Sequence, residues 1–274
     1  MRKRFRPAHL LRTLALVVLL LATLLPIVWM LISSFKTEDE IYLARPTWIP
    51  RAPTLANYAA LFNQFGFARL TLNSLCITLG VVAISMLFGT MAAYGFSRYR
   101  FPGSAVVMGA LLLTRMITPA SLVLPLYSLM QVLGLLNSWT SIIIGITVLN
   151  LPFVVWMMKP FFDQLPHEVE EAGELDGLSP VGVFWRTAVP MAAPGLYSIF
   201  LFSFVAGWVD LLFGITFATT PHATPLTAGL MQMQTGYRIY WGPLMAGGIY
   251  LSLPTLILAF FFQKSLVSGL RVST

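Results

Sequence analysis

The residues of this chain whose types and spacing could do chemistry are concentrated in one acidic stretch. Six of the ten acidic residues lie between positions 163 and 176, namely Asp163, Glu168, Glu170, Glu171, Glu174 and Asp176. Carboxylates that hold a metal or act on a substrate are expected beside clustered histidines or at metal-ligand spacing. The three histidines of the chain are scattered instead, at His9, His167 and His222. The stretch therefore indicates a surface for a partner and predicts no metal site and no catalytic site.

The stretch from 165 to 190 is predicted to form two short helices that meet at an elbow. Pro166 suits a helix start, and acids in the first turns suit the helix dipole. Gly177 suits the left-handed conformation that ends a helix, and Ser179 is a good cap for the helix that follows. Pro190 and Pro194 are expected to stop the second helix. On these residues alone, an amphipathic helix that lies on a membrane surface explains the stretch equally well.

The same residues resemble the EAA loop of bacterial ABC importer permeases. That pattern is Glu-Ala-Ala, three residues, Gly, nine residues, Ile, one residue and Leu-Pro. This chain has Glu171-Ala172-Gly173 and keeps the spacing of Gly177 and Pro190. It departs from the pattern at Gly173, Thr187 and Val189, and glycine in a helix costs roughly 1 kcal/mol relative to alanine. The resemblance implies a coupling helix that docks in a cleft of an ATPase subunit, through Glu171, Ala172, Gly173, Asp176, Gly177 and Pro190.

The composition of the whole chain indicates a polytopic membrane protein. Of the 274 residues, 57% are hydrophobic and 10% are charged, and the mean hydropathy is +0.80. Soluble domains carry about 25% charged residues. The net charge of +7 does not indicate nucleic acid, since the basic residues flank apolar runs and form no single patch. The one cysteine, Cys76, allows no disulfide within the chain.

Uncharged or nearly uncharged runs of about 20 residues are long enough to cross a bilayer. Six such spans are predicted, at 13–35, 70–97, 103–125, 139–158, 195–217 and 242–263. The fold class is therefore all-α, with six transmembrane helices. The predicted divisions are 1–35 (cytoplasmic N-terminus and first helix), 36–69 (extracytoplasmic), 70–266 (the core domain of five helices, with a coupling loop at 160–193) and 267–274 (cytoplasmic tail).

The distribution of basic residues predicts the orientation of the spans. Eleven of the 17 lysines and arginines fall on one side of the six predicted spans and five on the other, with Arg115 inside the membrane. Because loops rich in Lys and Arg face the cytoplasm, both termini and the coupling loop are predicted to be cytoplasmic.

Arg115 and Asp210 are the two ionisable residues predicted to lie deep within spans. Isolated charges in a membrane are costly and normally face the bundle interior or a wet cavity. At 1.5 Å per residue, their depths are roughly 18 and 22 Å from the same side, close enough for a pair. The family often has Trp-Asn-Asp/Glu where this chain has Trp208-Val209-Asp210. Trp208, Asp210 and Arg115 are therefore predicted to line a translocation path. Separate pairing of each charge with backbone or with a partner chain is equally open.

Further ordered motifs, from Pro53 to about Leu266, resemble the carbohydrate-uptake branch of binding-protein-dependent ABC importers. They look like the second permease of a maltose-type system, with a type I importer fold. The resemblance implies four kinds of partner: a different permease subunit, a pair of ATPase subunits, an extracytoplasmic solute-binding protein and membrane lipid. It also implies that the solute-binding protein is contacted by the loop at 219–240, through Gln232, Gln234 and Tyr237. An ordinary interfacial turn explains that loop as well.

The chain carries no nucleotide-binding motif of its own. A phosphate-binding loop needs Gly-Lys-Ser/Thr after a glycine-rich turn, and none of the four lysines follows a glycine. The chain is therefore not expected to be an enzyme or to hold a cofactor; ATP and Mg²⁺ are expected on the ATPase partners. The bacterial cytoplasmic (inner) membrane is the expected location, with a sugar or sugar-like solute as cargo.

Two other kinds of function remain open from the sequence. An ion-coupled secondary transporter would show inverted repeats and several buried ionisable residues, and this chain shows neither. An importer for a non-sugar solute such as a glycerol-phosphate ester would share every motif described above.

Overall fold

Long apolar segments in a bilayer must satisfy their backbone hydrogen bonds internally, and helices do so. The structure, a computed structural model, describes residues 7–99 and 101–271. Throughout that part the chain is helical apart from its connections, and one isolated antiparallel bridge joins Gln234 to Ile239. The all-α prediction is confirmed there. Residues 1–6, Arg100 and residues 272–274 lie outside the described residues, and with them five of the basic residues used in the charge argument: Arg2, Lys3, Arg4, Arg6 and Arg100.

The described part forms the following elements in chain order. They are α1 (Pro7–Ser34), α2 (Glu38–Ile41), α3 (Ala56–Asn63), α4 (Phe67–Arg98), α5 (Ser104–Thr114), α6 (Pro119–Val132), α7 (Trp139–Asp163), α8 (His167–Leu175), α9 (Pro180–Val183), a π-helical turn (Phe184–Ala188), α10 (Val189–Met191), α11 (Ala193–Trp208), α12 (Leu212–Phe217), α13 (Leu226–Met231) and α14 (Trp241–Arg271).

Within the described residues, α1, α4, α7 and α14 are each long and apolar enough to cross a membrane. Two bent pairs reach the same length only together. In one, α5 and α6 meet at 98°, and in the other, Pro180–Met191 meets α11 at 82°. The helices therefore allow four spans, or up to six when each bent pair counts as one.

The predicted span at 103–125 is wrong as a single helix. The helix α5 ends at Thr114 and α6 begins at Pro119, so the predicted linker at 126–138 is helical as far as Val132. The physical reason is Pro119, which lacks an N–H and disfavours the helical conformation of the residue before it. Thr118 is accordingly extended, with ψ of 132°.

The predicted span at 195–217 is also interrupted. The helix α11 ends at Trp208, and α12 begins only at Leu212. The predicted loop at 219–240 is not an open loop throughout, because it contains α13 and residues 223–230 are buried. Apolar side chains such as Leu226 and Ala223 account for that burial.

One compact unit consists of the chain up to Phe67 together with Leu230–Ser252. Its polar centre is Asn57, whose side-chain amide donates to the carbonyls of Ser34 (2.9 Å) and Lys36 (2.8 Å) at the end of α1. A Cβ on Gly242 would lie 2.4 Å from Asn57 Oδ1, so only glycine allows this approach. The Tyr58 hydroxyl lies 2.8 Å from Ser34 Oγ. Asn57 and Tyr58 therefore fasten α3 to the end of α1.

The other unit consists of Ala68–Gly229 and the chain from Leu253. Its helices α4, α7 and α11 pack closely, because small residues let backbones approach. A Cβ on Gly207 of α11 would lie 2.9 Å from Thr78 Cα of α4. Around one end of α7 lies a cluster of buried side chains that includes Met158, Phe162, Phe184 and Ile199. This cluster forms the floor under the acidic stretch.

Candidate functional site

The predicted elbow is present, and its corner is a standard helix ending. Gly177 has φ of +86°, in the left-handed region. Its N–H donates to Glu174 O (2.9 Å), and the Leu178 N–H donates to Gly173 O (3.0 Å). These are the two hydrogen bonds of a Schellman motif, which needs a left-handed residue at this position. The sequence prediction for Gly177 is therefore confirmed in its conformation.

The first arm of the elbow is α8 (His167–Leu175), and the second arm is Pro180–Met191. The second arm starts as predicted and ends one residue later than Pro190. The Ser179 hydroxyl accepts from the Gly182 N–H (3.2 Å) and caps α9. The arm then runs through the π-helical turn to Met191. Pro190 is inside this arm and does not stop it. A proline leaves the carbonyl four residues earlier without its donor, and a wider π-helical turn accommodates such a gap.

The predicted partner-facing residues of the elbow are on its outer surface. Glu171, Ala172, Asp176 and Gly177 are exposed, and so is Pro190, while Gly173 is half-buried. Leu175 adds an apolar side chain that is 89% exposed. The first arm therefore presents acids and one large apolar residue outward, as a docking surface for another protein requires.

The inner side of the first arm carries a buried ion pair that was not among the predicted site residues. Glu170 is 8% exposed and receives a two-pronged contact from Arg98, with Nε 2.9 Å from Oε2 and Nη2 2.7 Å from Oε1. The Tyr94 hydroxyl donates to Glu170 Oε2 at 2.9 Å. Arg98 Nη2 also donates to the Leu165 carbonyl (3.2 Å). A bidentate arginine–carboxylate pair of this kind is among the strongest hydrogen-bonded contacts in proteins.

A signal for this ion pair was present in the sequence but ambiguous. Glu170 falls within the acidic run, and Arg98 ends the second long helix. Six acids at similar spacing gave no means to tell the buried one from the exposed ones. Only the packing of α8 against the floor identifies Glu170, because Glu168, Glu171, Glu174 and Asp176 are all exposed.

Arg115 and Asp210 are not paired, and each contacts backbone instead, which is the second of the two interpretations that the sequence left open. Arg115 directly follows α5 and is exposed. It donates to the Leu149 carbonyl at 3.1 Å, and its guanidinium lies 4.8 Å from the centre of the Phe153 ring. The Asp210 carboxylate accepts from the Gly214 N–H (3.1 Å). The reason is the break after Trp208, which places Asp210 one residue before the N-cap Leu211, where its carboxylate accepts from the first turn of α12.

Trp208 lies in the core of its unit. It is 2% exposed and stacks on Phe204, with ring centres 5.7 Å apart. The backbone carbonyl of Asp210 accepts a hydrogen bond from the Thr227 hydroxyl, which joins the break to the segment just after α13 begins. The role of Trp208, Asp210 and Arg115 in a translocation path stays a prediction.

Gln234 and Tyr237 lie on a small hairpin, and Gln232 directly precedes it. Across it, Thr235 N donates to Arg238 O (2.9 Å) and Tyr240 N donates to Met233 O (3.1 Å). Met233 is fully buried, whereas Gln232 and Gln234 are exposed. At the tip, Tyr237 is 104% exposed, as free as in an extended peptide. This hairpin (residues 233–240) thus holds a tyrosine away from the rest of its unit.

Two contacts brace the hairpin within its own unit. Arg238 pairs with Glu38 of α2, and its guanidinium lies 5.0 Å from the centre of the Tyr240 ring. The Tyr42 hydroxyl donates to the Ile239 carbonyl at 2.7 Å. A side chain as exposed as Tyr237 on a braced turn is preorganised for contact with another molecule.

The sequence is similar to those of known membrane transport proteins. The family described as "binding-protein-dependent transport system inner membrane component" matches residues 85–272. The sulfoquinovosyl glycerol transport system permease protein SmoH of Agrobacterium fabrum is 33% identical over 95% of this chain and 91% of its own. The trehalose transport system permease protein SugB of Mycobacterium tuberculosis is 31% identical over 90% of each.

The fold has a counterpart of known structure. A chain from the crystal structure of a bacterial ABC transporter involved in the import of the acidic polysaccharide alginate matches 96% of this chain and 98% of its own. The TM-score is 0.83 at 20% sequence identity, which shows a shared fold. This protein therefore belongs to the family of inner membrane components of binding-protein-dependent transport systems, as a multi-pass permease subunit of an ABC importer and not an enzyme itself.

Proposed function

We propose that this chain is one of two different permease subunits of an importer that brings a sugar or sugar-like solute into a bacterial cell. Its relatives include permeases named for sulfoquinovosyl glycerol, trehalose and diacetylchitobiose transport. Each of these three compounds contains a glycosyl unit. A hydroxyl-rich cargo is therefore the class that the similarity favours, and a glycerol-phosphate ester remains the alternative that a substrate screen must include.

The observation that carries the proposal is the outward face of the elbow. Glu171, Ala172 and Leu175 are exposed on a helix whose opposite side is fixed by the Glu170–Arg98 pair. In this proposal an ATPase subunit docks on that face, and ATP and Mg²⁺ bind to the ATPase pair alone. The elbow then passes closure of the ATPase pair to the membrane helices, which alternate their access to the two sides.

In the same proposal the hairpin at 233–240 faces outward from the cell and meets the solute-binding protein. Its exposed Tyr237, with Gln232 and Gln234, offers an aromatic face and amides to a partner or to a hydroxyl-rich ligand. The chain has six spans, with both termini and the elbow in the cytoplasm and the protein in the bacterial cytoplasmic membrane. Trp208, Asp210 and Arg115 line the path taken by the solute.

Reconstitution tests the proposal directly. The chain is purified with its co-expressed permease and ATPase partners, inserted into lipid vesicles and supplied with purified solute-binding protein. Labelled disaccharides, amino sugars and glycerol-phosphate esters are offered with and without ATP. We expect ATP-dependent, binding-protein-dependent uptake of a glycosyl compound. Uptake that persists without ATP and collapses with an ion-conducting uncoupler would identify an ion-coupled transporter, and uptake of the ester alone would move the cargo class.

A further inference from the structure

We propose that Arg98, Glu170 and Tyr94 form the joint that makes the elbow and α4 move as one body during the transport cycle. This inference rests on the proposed function. It adds to the docking role of the outward face a second role for the inner face of the elbow, which is to hold α4. In it, the three residues are positioning residues, because they touch neither the solute nor the nucleotide.

Glu170 differs from every other acid of the elbow region by its burial. The side chains of Arg98 and Glu170 are 7% and 11% exposed, whereas those of the nearby Lys159–Asp163 pair are 32% and 41% exposed. Two guanidinium nitrogens and one phenol contact the carboxylate. Contacts of this kind fix distance and orientation together, since the guanidinium and carboxylate are planar and meet in one geometry.

The same end of α4 also contacts the second arm. The Tyr94 ring packs against Phe184 of that arm and Phe162 of α7, at ring-centre distances of 5.0 and 5.3 Å. Its hydroxyl meanwhile donates to Glu170 of the first arm. One residue of α4 therefore touches both arms. At the corner between them, a Cβ on Gly177 would have no neighbour within 4 Å.

The chemistry of the joint favours a mechanical role over a purely stabilising one. A buried ion pair is a poor source of stability, because desolvation offsets most of the attraction, and apolar residues of similar size often stabilise as well or better. An apolar contact tolerates sliding, whereas a bidentate pair holds one register. An elbow that must pass a displacement to α4 without slippage requires the second property.

The test replaces the pair without leaving a buried charge unpaired. The double variant Arg98→Met/Glu170→Met is compared with Lys159→Met/Asp163→Met, which removes an exposed pair of the same kind. Both are assembled with the full complex, and ATP hydrolysis is measured with and without solute-loaded binding protein. We expect the first variant to keep its ATPase partners and its basal hydrolysis, while the stimulation by binding protein falls at least tenfold. The control keeps its stimulation.

Three results would count against the joint. Stimulation within twofold of wild type in Arg98→Met/Glu170→Met shows that the pair is not needed to pass the displacement. Loss of the ATPase partners in proportion to the loss of stimulation shows a role in assembly alone. A wild-type complex that binding protein does not stimulate removes the proposed function, and the joint with it; the first two results leave the proposed function standing.

A distance measurement checks the rigid connection itself. Spin labels are placed at Glu168→Cys on the first arm and Leu87→Cys on α4, in a Cys76→Ser background that removes the one native cysteine. We expect the label-to-label distance to be the same in the nucleotide-free and ATP-trapped complexes of the otherwise native chain. In Arg98→Met/Glu170→Met the distribution should broaden or shift between those states. A shift in the chain with the pair intact would overturn the proposal.

Discussion

Gly173 is the residue at which this chain departs from the Glu-Ala-Ala pattern, and its surroundings leave room for the missing methyl group. A Cβ there would lie 3.4 Å from Leu178 Cδ1 and 3.5 Å from Thr187 Oγ1, both ordinary contacts. Its backbone φ is not in the left-handed region. Gly173→Ala should therefore raise the free energy of unfolding by about 0.5–1 kcal/mol, from the lower helix propensity of glycine.

Thermal unfolding of the purified complex measures this effect, with Glu174→Ala on the same exposed arm as the control for a change of surface residue. A lower unfolding temperature for Gly173→Ala would mean that the close contact with Leu178 does not tolerate the methyl group.

Gly177 behaves in the opposite way, because its constraint is conformational. No atom lies within 4 Å of a Cβ placed there, yet φ is +86°. A β-branched residue in this conformation costs at least about 1–2 kcal/mol, so Gly177→Val should distort the corner of the elbow. Transport and ATPase co-purification should fall while the protein still inserts in the membrane. Gly177→Asn, a residue that tolerates the left-handed region, should retain most of both. Equal behaviour of the two variants would contradict the conformational explanation.

Glu40 of α2 is a buried carboxylate outside the predicted spans. The Thr47 hydroxyl donates to it, and the Arg51 N–H and the charges of Lys36 and Arg51 assist, so its pKa stays below the usual 4.5 in spite of burial. A carboxyl with a lowered folded-state pKa stabilises the fold above its unfolded-state pKa, and this stability is lost as the pH falls through the folded-state value.

Glu40→Gln should therefore destabilise the protein most near neutral pH. The difference in unfolding temperature between wild type and Glu40→Gln should shrink as the pH falls below 4.5. Scans of both proteins from pH 7 to pH 3 provide the measurement. A difference that is the same at every pH would assign the effect to lost packing and not to the charge.

Among the elements, the helices confirmed most closely are those whose ends carry local signals. The sequence predicted 70–97 and 139–158, and the structure has α4 at Phe67–Arg98 and α7 at Trp139–Asp163. Ser138 caps α7 by accepting from the Ser141 N–H. Likewise, the two arms of the elbow follow from Gly177 and Ser179, because a left-handed glycine and a serine cap determine local backbone geometry without help from distant residues.

The elements predicted wrongly are those in which an uninterrupted apolar run contains a break in the helix. The run at 103–125 is apolar throughout, so its hydropathy gives no sign of the 98° bend between α5 and α6. The bend depends on Pro119, and prolines also lie inside α6 and α7 without breaking them. Whether a proline breaks a helix depends on the neighbours that satisfy the freed carbonyl, and those are tertiary contacts.

The hairpin at 233–240 is an element whose use can be tested by one side chain. Tyr237 has no support from its own unit, so its removal should not affect folding, yet aromatic residues at interface centres often contribute 2 kcal/mol or more, about thirtyfold in affinity. Tyr237→Ala should weaken the stimulation of ATP hydrolysis by the solute-binding protein by roughly that factor and leave basal hydrolysis unchanged. Ile49→Ala, which removes another exposed apolar side chain (81% exposed) of the same unit, serves as the control.

A titration of binding protein against ATP hydrolysis gives the comparison, because weaker docking raises the concentration needed for half-stimulation. If Tyr237→Ala and Ile49→Ala give superimposable titrations, the hairpin does not contact the binding protein, and the interpretation as an ordinary interfacial turn is correct.

At the scale of the whole molecule, the positions of the lysines and arginines predict how the chain crosses the membrane. The orientation predicted from the lysine and arginine count puts the elbow in the cytoplasm and the hairpin outside the cell. Transmembrane orientation follows from the basic residues near the spans, so it can be read from sequence more directly than the bends in the spans. Two exposed positions, Glu174 on the first arm and Tyr237 on the hairpin, report the two sides.

Single cysteines at these positions in a Cys76→Ser background make the orientation measurable. In intact spheroplasts, a membrane-impermeant maleimide should label Tyr237→Cys and leave Glu174→Cys unlabelled, and in inside-out vesicles the pattern should reverse. Detergent-solubilised protein, in which both cysteines react, controls for occlusion by partner subunits. If both cysteines were labelled from one side, the chain would cross the membrane an even number of times between the elbow and the hairpin, and not once as predicted. In that case the bent pair formed by Pro180–Met191 and α11 would be a re-entrant loop, and the elbow could not meet an ATPase in the cytoplasm while the hairpin meets a binding protein outside.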